Sequence, residues 1–197
     1  MTNEIANDAA LNLIFREART YNAWQDRDVS RALIQAIYDL AKMGPTSANS
    51  CPARFVFVQT EAGKKRLEPF LSGNNRAKTM AAPICVIIAY DMEFYKHLPK
   101  LFPHTDAKAW FEGNDVLIAE TAMRNASLQG AYFIMAARAL GLDCGPMSGF
   151  DQAGVNKEFF DGTSWRANFL CNLGYGANEN LYPRNLRLDF EEACEIL

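Results

Sequence analysis

Residues 44–53, Gly-Pro-Thr-Ser-Ala-Asn-Ser-Cys-Pro-Ala, carry more hydrogen-bonding side chains than a connection between two elements needs. Thr46, Ser47 and Asn49 offer donors and acceptors to a flat, polar ligand. Gly44 lets the backbone come close to such a ligand, and the two prolines stiffen the path. The same residues also suit a helix C-cap followed by a turn. The local chemistry therefore leaves a ligand-binding segment and a plain turn both open.

The cysteines and histidines form no recognisable metal-binding set. The five cysteines are odd in number and include no C-x-x-C pair, which argues against a disulfide framework and a zinc ribbon. His97 and His104 are far from any cysteine in the sequence, so we expect no metal site. Cys51 could be a redox thiol, although a small, buried or half-buried cysteine is the favoured interpretation.

Familiar catalytic and nucleotide-binding motifs are also missing from the sequence. There is no G-x-G-x-x-G after a predicted strand and no G-x-x-x-x-G-K-[ST], which disfavours Rossmann and P-loop sites. There is no G-x-S-x-G, and neither histidine lies in a recognisable nucleophile–base setting. An enzyme with these side chains would therefore rely on a borrowed cofactor for difficult chemistry.

The composition indicates one folded domain over residues 1–197. The 49 % of hydrophobic and 22 % of charged residues can build a substantial core. A net charge of −3 with scattered positive charges argues against nucleic-acid binding. The N-terminus carries an acid where a signal peptide would carry a base, and the longest apolar run, 80–90, is too short to span a bilayer. We therefore expect a soluble, cytoplasmic protein that does not bind membranes.

Helices and strands are mixed in the sequence without regular βαβ spacing, which favours an α+β fold over a doubly wound sheet. A polar loop is expected at 72–76. The hydrophobic pattern predicts helices at about 9–19, from Ser30 to Gly44, and at about 61–71, 115–140 and 152–159, with strands at 55–58, 84–90, from Leu142, and 168–175.

Two predicted segments could bear on function. Residues 92–114 are irregular and aromatic, which fits either a surface insertion or a mobile lid over a site. The helix over 115–140 would be ~39 Å long at ~1.5 Å per residue. It is apolar nearly all round, so we expect it to be central or to lie in a subunit interface, with Gly141 as its C′ residue.

Four pieces of the sequence, in order, resemble the FMN-dependent nitroreductase family. They are Arg19-Thr20-Tyr21-Asn22, residues 44–49, residues 140–151 and the pair Arg184 and Arg187. Within the family, the chain looks most like the malonic semialdehyde reductases of the Rut pyrimidine-degradation pathway, with particular support from residues 44–49, 101–104, 146–151 and 190–194. The resemblance implies an α+β nitroreductase-like fold: a mixed central sheet flanked by helices, in an intertwined homodimer with the long helix at its interface.

The resemblance also implies three groups of FMN-binding residues. One group would grip the phosphate, the second would reach the flavin from the partner subunit, and the third would lie against the flavin, with the backbone N–H groups of Ser148 and Gly149 as candidate donors to N5. The groups are, in turn, Arg19, Thr20, Asn22, Arg184 and Arg187; Pro45, Thr46, Ser47 and Asn49; and Pro146, Met147, Ser148 and Gly149.

The activity implied is ping-pong hydride transfer from NADH or NADPH through flavin N5 to a small carbonyl acid, malonic semialdehyde, giving 3-hydroxypropionate. Arg54 or Arg124 could bind the substrate carboxylate, and Trp110 or Phe111 could close over the flavin. Many relatives have Gln-Pro-Trp where this chain has residues 51–53, Cys-Pro-Ala, so substrate preference is expected to differ there.

Three alternatives stay open at the level of sequence. The first is a broad nitro- or quinone reductase of the same fold, and the second is a flavin-binding protein without turnover. The third is a cofactor-free dimerisation module, which leaves the arginines at both ends of the chain without a role.

Overall fold

The computed structural model describes residues 4–179 and 181–197. Apart from short 3₁₀ turns, and π-helical turns at Asn12–Arg16, the described chain forms eight helices and six strands. The helices are α1 (Asp8–Leu11), α2 (Arg31–Ala41), α3 (Glu61–Leu67), α4 (Gly73–Ala81), α5 (Leu98–Leu101), α6 (Asp115–Ala139), α7 (Gln152–Phe160) and α8 (Phe190–Ala193). The strands are β1 (Ala23–Trp24), β2 (Ala53–Val58), β3 (Ile84–Asp91), β4 (Asp143–Met147), β5 (Trp165–Gly174) and β6 (Gly176–Ala177).

The central sheet has the strand order β2-β3-β5-β4, and each neighbouring pair is antiparallel. The α+β class is confirmed, but the mixed sheet expected is wrong for these four strands. The long helix α6 connects β3 to β4 so that these two strands run in the same direction. However, β5 lies between them and is antiparallel to both, so no parallel pair forms. Thr20 and Cys144 make an isolated parallel bridge at the edge of the sheet.

Strand β3 forms the centre of the hydrophobic core. Its residues from Ile84 to Ala89 are completely buried, as the continuous apolar run predicts for a strand covered on both faces. Because successive side chains point to opposite faces, Val86 and Ile88 pack with α2 and α6, whereas Cys85 and Ile87 pack with α3 and α7. Helices therefore cover both faces of the sheet.

Helix α6 has the length that the sequence predicts, and the left-handed Gly141 (φ 80°) follows its C-terminus. Its buried face carries three polar residues at i, i+4 spacing, Thr121, Asn125 and Gln129. Its exposed face keeps apolar side chains: Val116, Met123, Leu128 and Tyr132. The helix is thus central and at the same time incompletely covered.

Two local predictions are wrong. The expected helix over 9–19 ends at Arg16, since α1 passes into π-helical turns and the chain then runs beside the sheet at Thr20. The polar loop expected at 72–76 is the N-cap, Ser72, and the first turn of α4. Gly and Asn are weak helix formers, but tertiary contacts stabilise this helix. Thr79 is buried in the protein interior, and the Trp24 indole donates to the Lys78 carbonyl at 3.2 Å.

Within the described residues, no helix is long and apolar enough to cross a membrane.

Candidate functional site

Arginines from the two ends of the chain meet at one cavity of ≈ 340 Å³. Arg19, with Thr20 and Asn22, enters from the N-terminal segment, and Arg184 and Arg187 enter from the C-terminal tail. All the residues that the resemblance implies for binding the phosphate therefore line this one cavity. Such a concentration of guanidinium groups attracts an anion, and phosphate and carboxylate are the groups that arginine binds in a bidentate manner.

The two chain ends also hold each other in place. Arg19 donates to the carbonyl of Tyr182, and Arg184 Nη2 donates to the carbonyl of Ala18 at 2.9 Å. The N-terminal segment is in turn fixed to the sheet edge, because the Tyr21 N–H donates to the Cys144 carbonyl at 3.3 Å. The tail therefore docks through the same arginines that line the cavity.

Gly176 shows how tightly this region is packed. A Cβ atom at Gly176 would lie 2.3 Å from Cδ1 of Tyr21, which is closer than any side chain tolerates. Its N–H donates to Asp143 Oδ2 at 2.8 Å. Burial raises the pKa of the Asp143 carboxyl, and this hydrogen bond offsets part of that effect. The Tyr21 ring thus packs against Gly176 of the strand pair β1–β6.

Arg138, on the last turns of α6, lines the same cavity, and sequence reasoning missed it. Its Nη1 donates to the Ile14 carbonyl at 3.2 Å, whereas its Nε is buried without a partner among the described residues. A buried, unpaired donor costs free energy unless a ligand satisfies it. The periodicity of a mostly apolar helix offered no signal for this role, since one arginine near a helix C-terminus is ordinary.

A neighbouring cavity of ≈ 400 Å³ shares Asn22 and Tyr182 with the first and adds Asn74 and Lys78 from α4. Burial lowers the pKa of the half-buried Lys78. This lysine was missed because residues 72–76 were expected to form a loop. The helical conformation of α4 is what brings Lys78 opposite Asn22.

The turn after β4 is joined to α4. The Gly149 carbonyl accepts hydrogen bonds from Asn75 Nδ2 at 2.9 Å and from the Ser72 N–H at 3.2 Å. A Cβ atom at Gly149 would lie 2.6 Å from Asn75 Nδ2, so the glycine allows this amide to approach. Pro146 and the buried Met147 end β4, and Ser148 is exposed beside them. The turn thus lies one helical turn of α4 away from Lys78.

The segment 44–53, called the wall segment below, lies elsewhere in the same chain. The Ser47 N–H donates to Asn125 Oδ1 at 2.8 Å, near the middle of α6, whereas Arg138 at the end of α6 lines the arginine cavity. These two positions on α6 are ~20 Å apart at ~1.5 Å per residue. Pro45, Thr46, Ser47 and Asn49 are therefore not brought to the arginine cavity within one chain.

The candidates for the substrate side occupy different environments. Arg54 Nη2 pairs with Asp91 Oδ2 at 2.6 Å, and Arg124 pairs with Glu120 on the exposed side of α6. Neither arginine lines the cavity that contains Arg19.

Of the two candidate lid residues, Phe111 is only 5 % exposed and packs edge-on against Phe94, with ring centroids 4.9 Å apart. Trp110 is 51 % exposed and lies beside Phe102. Only Trp110 is free to move over a ligand without opening the core.

Four of the five cysteines are buried or half-buried, which fits a structural role better than a reactive one, whereas Cys194 is exposed. Cys85, Cys144 and Cys171 are buried, and burial raises the pKa of Cys85 to about 12. Cys51 is half-buried, as the favoured interpretation has it. Residues 4–179 and 181–197 contain no cluster of His, Cys, Asp and Glu that could hold a metal ion.

The sequence pattern of the nitroreductase family matches residues 15–175 of this chain. The chain belongs to the nitroreductase family. It is 60 % identical over 190 residues to a "Putative NADH dehydrogenase/NAD(P)H nitroreductase" of Burkholderia lata, covering 96 % of this chain and 97 % of that protein. It is 58 % identical over 188 residues to a protein of the same name from Stenotrophomonas maltophilia, covering 95 % of this chain and 96 % of that protein.

A solved structure from Exiguobacterium sibiricum, a "putative nitroreductase in complex with FMN", superposes on this chain with a TM-score of 0.84. All of both chains is covered at 17 % identity, which establishes the shared fold. The nitroreductase-like fold and the oxidoreductase class expected from the sequence are confirmed by the family match. The expected FMN and NAD(P)H agree with the cofactor of that structure and with the names of the two relatives.

Proposed function

We propose that this chain is an FMN-dependent NAD(P)H oxidoreductase that holds the cofactor phosphate with Arg19, Arg184 and Arg187. The observation that carries the proposal is the meeting of these arginines in one cavity with Thr20 and Asn22. Each charge-assisted hydrogen bond to a phosphate contributes ~1.5–3 kcal/mol, so three arginines can supply much of the affinity without a glycine-rich loop.

The residues around the cavity fit such a group. The unpaired Nε of Arg138 points to a missing acceptor, and Lys78 supplies a further cation beside Asn22. When bound, FMN would supply the two-electron carrier between NADH or NADPH and an acceptor, in a ping-pong cycle. Ser148 and Gly149 would offer backbone N–H donors to the cofactor, in a turn that Asn75 holds against α4.

The test of this function is an absorption spectrum of the purified protein. We expect bound flavin absorbance near ~450 nm that bleaches on anaerobic addition of NADH or NADPH, because a bound flavin carries the redox chemistry. A colourless protein that takes up no added FMN would refute the assignment. A flavin that stays oxidised after rapid mixing with either nucleotide would instead indicate a flavin-binding protein without turnover.

We also propose that the enzyme is an intertwined homodimer with two sites, each built from both subunits. Within one chain the wall segment and the arginine cavity lie far apart, so only a second chain can supply the wall to the cavity. Apolar side chains that a partner would cover are exposed on α6, such as Val116 at 78 %, and along the tail, such as Leu186 at 95 % and Leu188 at 68 %. Light scattering on the purified protein should give the mass of a dimer; a monomeric mass with FMN bound would contradict this proposal.

For the acceptor we propose malonic semialdehyde, reduced to 3-hydroxypropionate in pyrimidine degradation. The support is the resemblance at residues 44–49, 101–104, 146–151 and 190–194. Both candidates for binding the substrate carboxylate already have an acidic partner, Arg54 with Asp91 and Arg124 with Glu120.

The name shared by the relatives favours a second candidate, a broad nitro- or quinone reductase. Steady-state kinetics with malonic semialdehyde, a nitroaromatic and a quinone, each at the same NADH concentration, would separate the two. A higher kcat/KM for the nitroaromatic or the quinone than for malonic semialdehyde would replace the first candidate by the second.

A further inference from the structure

The wall segment has an unusual backbone conformation. Three of its residues that are not glycine have left-handed backbone angles: Ala48 (φ 49°), Asn49 (φ 50°) and Cys51 (φ 42°). Ala and Cys rarely adopt this region, because Cβ then comes too close to a carbonyl oxygen. Such a conformation persists only where the surrounding structure holds it. The contacts of the wall segment should therefore show what maintains it.

Some of these contacts close the segment on itself. The Cys51 N–H donates to Thr46 Oγ1 at 3.1 Å, and the Asn49 N–H donates to the Thr46 carbonyl at 3.0 Å. These bonds define a turn around Thr46. They do not fix the turn to the body of the protein, so its position must depend on other groups.

Two buried amides of α6 hold the segment at two points. Asn125, 3 % exposed, accepts from the Ser47 N–H at 2.8 Å through Oδ1, and Gln129, 4 % exposed, accepts from the Ala53 N–H at 2.9 Å through Oε1. At i and i+4 they lie on the same face of the helix, one turn apart. A buried amide is costly unless it is paired, and these two pair with the backbone of the wall segment.

A third contact comes from the sheet. Arg54 Nη1 donates to the carbonyls of Cys51 at 3.0 Å and Ala53 at 2.9 Å, while its Nη2 is held by Asp91. Asp91 also accepts from Ser164 Oγ at 2.6 Å. The guanidinium thus turns towards the end of the wall segment, and α6 and the sheet hold this end together. The side chain of Ser47 is exposed, and the exposed side chain of Asn49 donates through Nδ2 to the Leu101 carbonyl at 2.9 Å.

We propose that Asn125 and Gln129 are positioning residues for FMN binding. They hold the wall segment in the shape in which Thr46, Ser47 and Asn49 meet the cofactor of the neighbouring subunit. This inference rests on the proposed function, since it assigns to the wall segment the contact with FMN that the function requires. Two side chains that do not touch FMN thus set the FMN affinity through the backbone that they hold.

The experiment replaces each amide by an apolar side chain of similar size, Asn125→Leu and Gln129→Met. The matched control is Asn156→Leu: Asn156 Oδ1 accepts from the Ala167 N–H at 2.8 Å, a bond of the same kind between α7 and β5 on the face of the sheet opposite α6. For each protein, FMN is titrated into the full-length apo form, the melting temperature is measured, and gel filtration checks the oligomeric state.

We expect Asn125→Leu and Gln129→Met to raise the FMN Kd by roughly tenfold or more, which corresponds to about 1.4 kcal/mol. Asn156→Leu should lower the melting temperature comparably and leave the FMN Kd within about twofold of wild type. Asn125→Asp keeps an acceptor oxygen for the Ser47 N–H, so its FMN Kd should return towards the wild-type value. If Asn125→Leu does not fold, Gln129→Met carries the same comparison.

The outcomes separate this inference from the proposed function. A wild-type protein that binds no FMN refutes both. A wild-type protein that binds FMN, with Asn125→Leu and Gln129→Met binding equally well, refutes the inference alone. An Asn156→Leu variant that loses as much affinity as they do also refutes it, because the two amides would then act only through general stability.

Discussion

Combining two defective variants tests whether each FMN site is built from two subunits. The first variant, Arg19→Ala with Arg187→Ala, removes two of the cations that line the cavity. The second, Ser47→Trp, places a large ring on the wall segment at a position that is exposed in the single chain, so folding should not suffer. Neither homodimer should then have an intact site.

The expected losses follow from the contacts that are removed. Two charge-assisted hydrogen bonds to a phosphate are worth ~3–6 kcal/mol together, so the double arginine variant should bind FMN roughly 10²–10⁴-fold more weakly. The indole ring introduced by Ser47→Trp, in contrast, should exclude the cofactor by bulk, because it would occupy the space that the proposed dimer assigns to the flavin of the neighbouring subunit. Lys157→Trp, at an exposed position on α7 far from the wall segment, is the control for the added ring.

The assay is the FMN content of heterodimers, obtained by co-expressing the two variants with different affinity tags. In a heterodimer, one site combines both defects, and the other combines the intact arginines of one chain with the intact wall segment of the other. We therefore expect about one FMN per heterodimer, bound with wild-type affinity, since a C₂ dimer has two equivalent sites. A heterodimer without FMN would show that the arginines and the wall segment act within one chain. A Ser47→Trp homodimer with normal FMN content would show that the wall segment does not meet the cofactor.

Three further measurements address single residues. The FMN affinity should rise as the phosphate monoester takes its second charge at pH ~6. It should fall at alkaline pH as Lys78, whose pKa burial lowers, loses its proton, and Lys78→Met should abolish only this alkaline fall; a fall that persists in Lys78→Met would contradict a role for this lysine. Trp110→Ala should change the acceptor KM while leaving the free energy of unfolding within about 0.5 kcal/mol of wild type. Phe111→Ala should lower the free energy of unfolding in urea by ~3–5 kcal/mol; a changed KM in Phe111→Ala and an unchanged KM in Trp110→Ala would place the lid at Phe111. Gly176→Ala should cost ~1–3 kcal/mol by forcing Tyr21 aside and should weaken FMN binding with it; normal FMN binding would separate Tyr21 from the site.

The elements that sequence reasoning predicts well are those with strong local signals. Ser30 caps α2, its side chain accepting from the Leu33 N–H, and this was readable from residue type and spacing. The apolar run of β3 and the length of α6 were readable in the same way, since periodicity and a terminal glycine are local properties. Helix α4 was missed because its stability comes from contacts with distant residues such as Trp24.

The residues of the candidate site also differ in whether a local sequence signal marks them. The resemblance to the nitroreductase family implied phosphate binding at Arg19 and Arg184, because the motifs that carry the resemblance are visible in the sequence. Arg138, Lys78 and Asn75 have no such context, and their roles come from where α4 and α6 lie. The ion pair of Arg54 with Asp91 could not be predicted from the sequence either, since Asp91 lies on the neighbouring strand.

By itself, the sequence determined the family, the α+β class and the residues that could form a phosphate-binding site. Those conclusions depend on residue types, short spacings and periodicities, which neighbouring residues along the chain set. Only the tertiary structure decided that β5 separates β3 from β4, and that the arginines of both chain ends share one cavity while the wall segment lies ~20 Å away along α6. These facts depend on contacts between residues far apart in the sequence, and it is the packing of the whole chain that selects them.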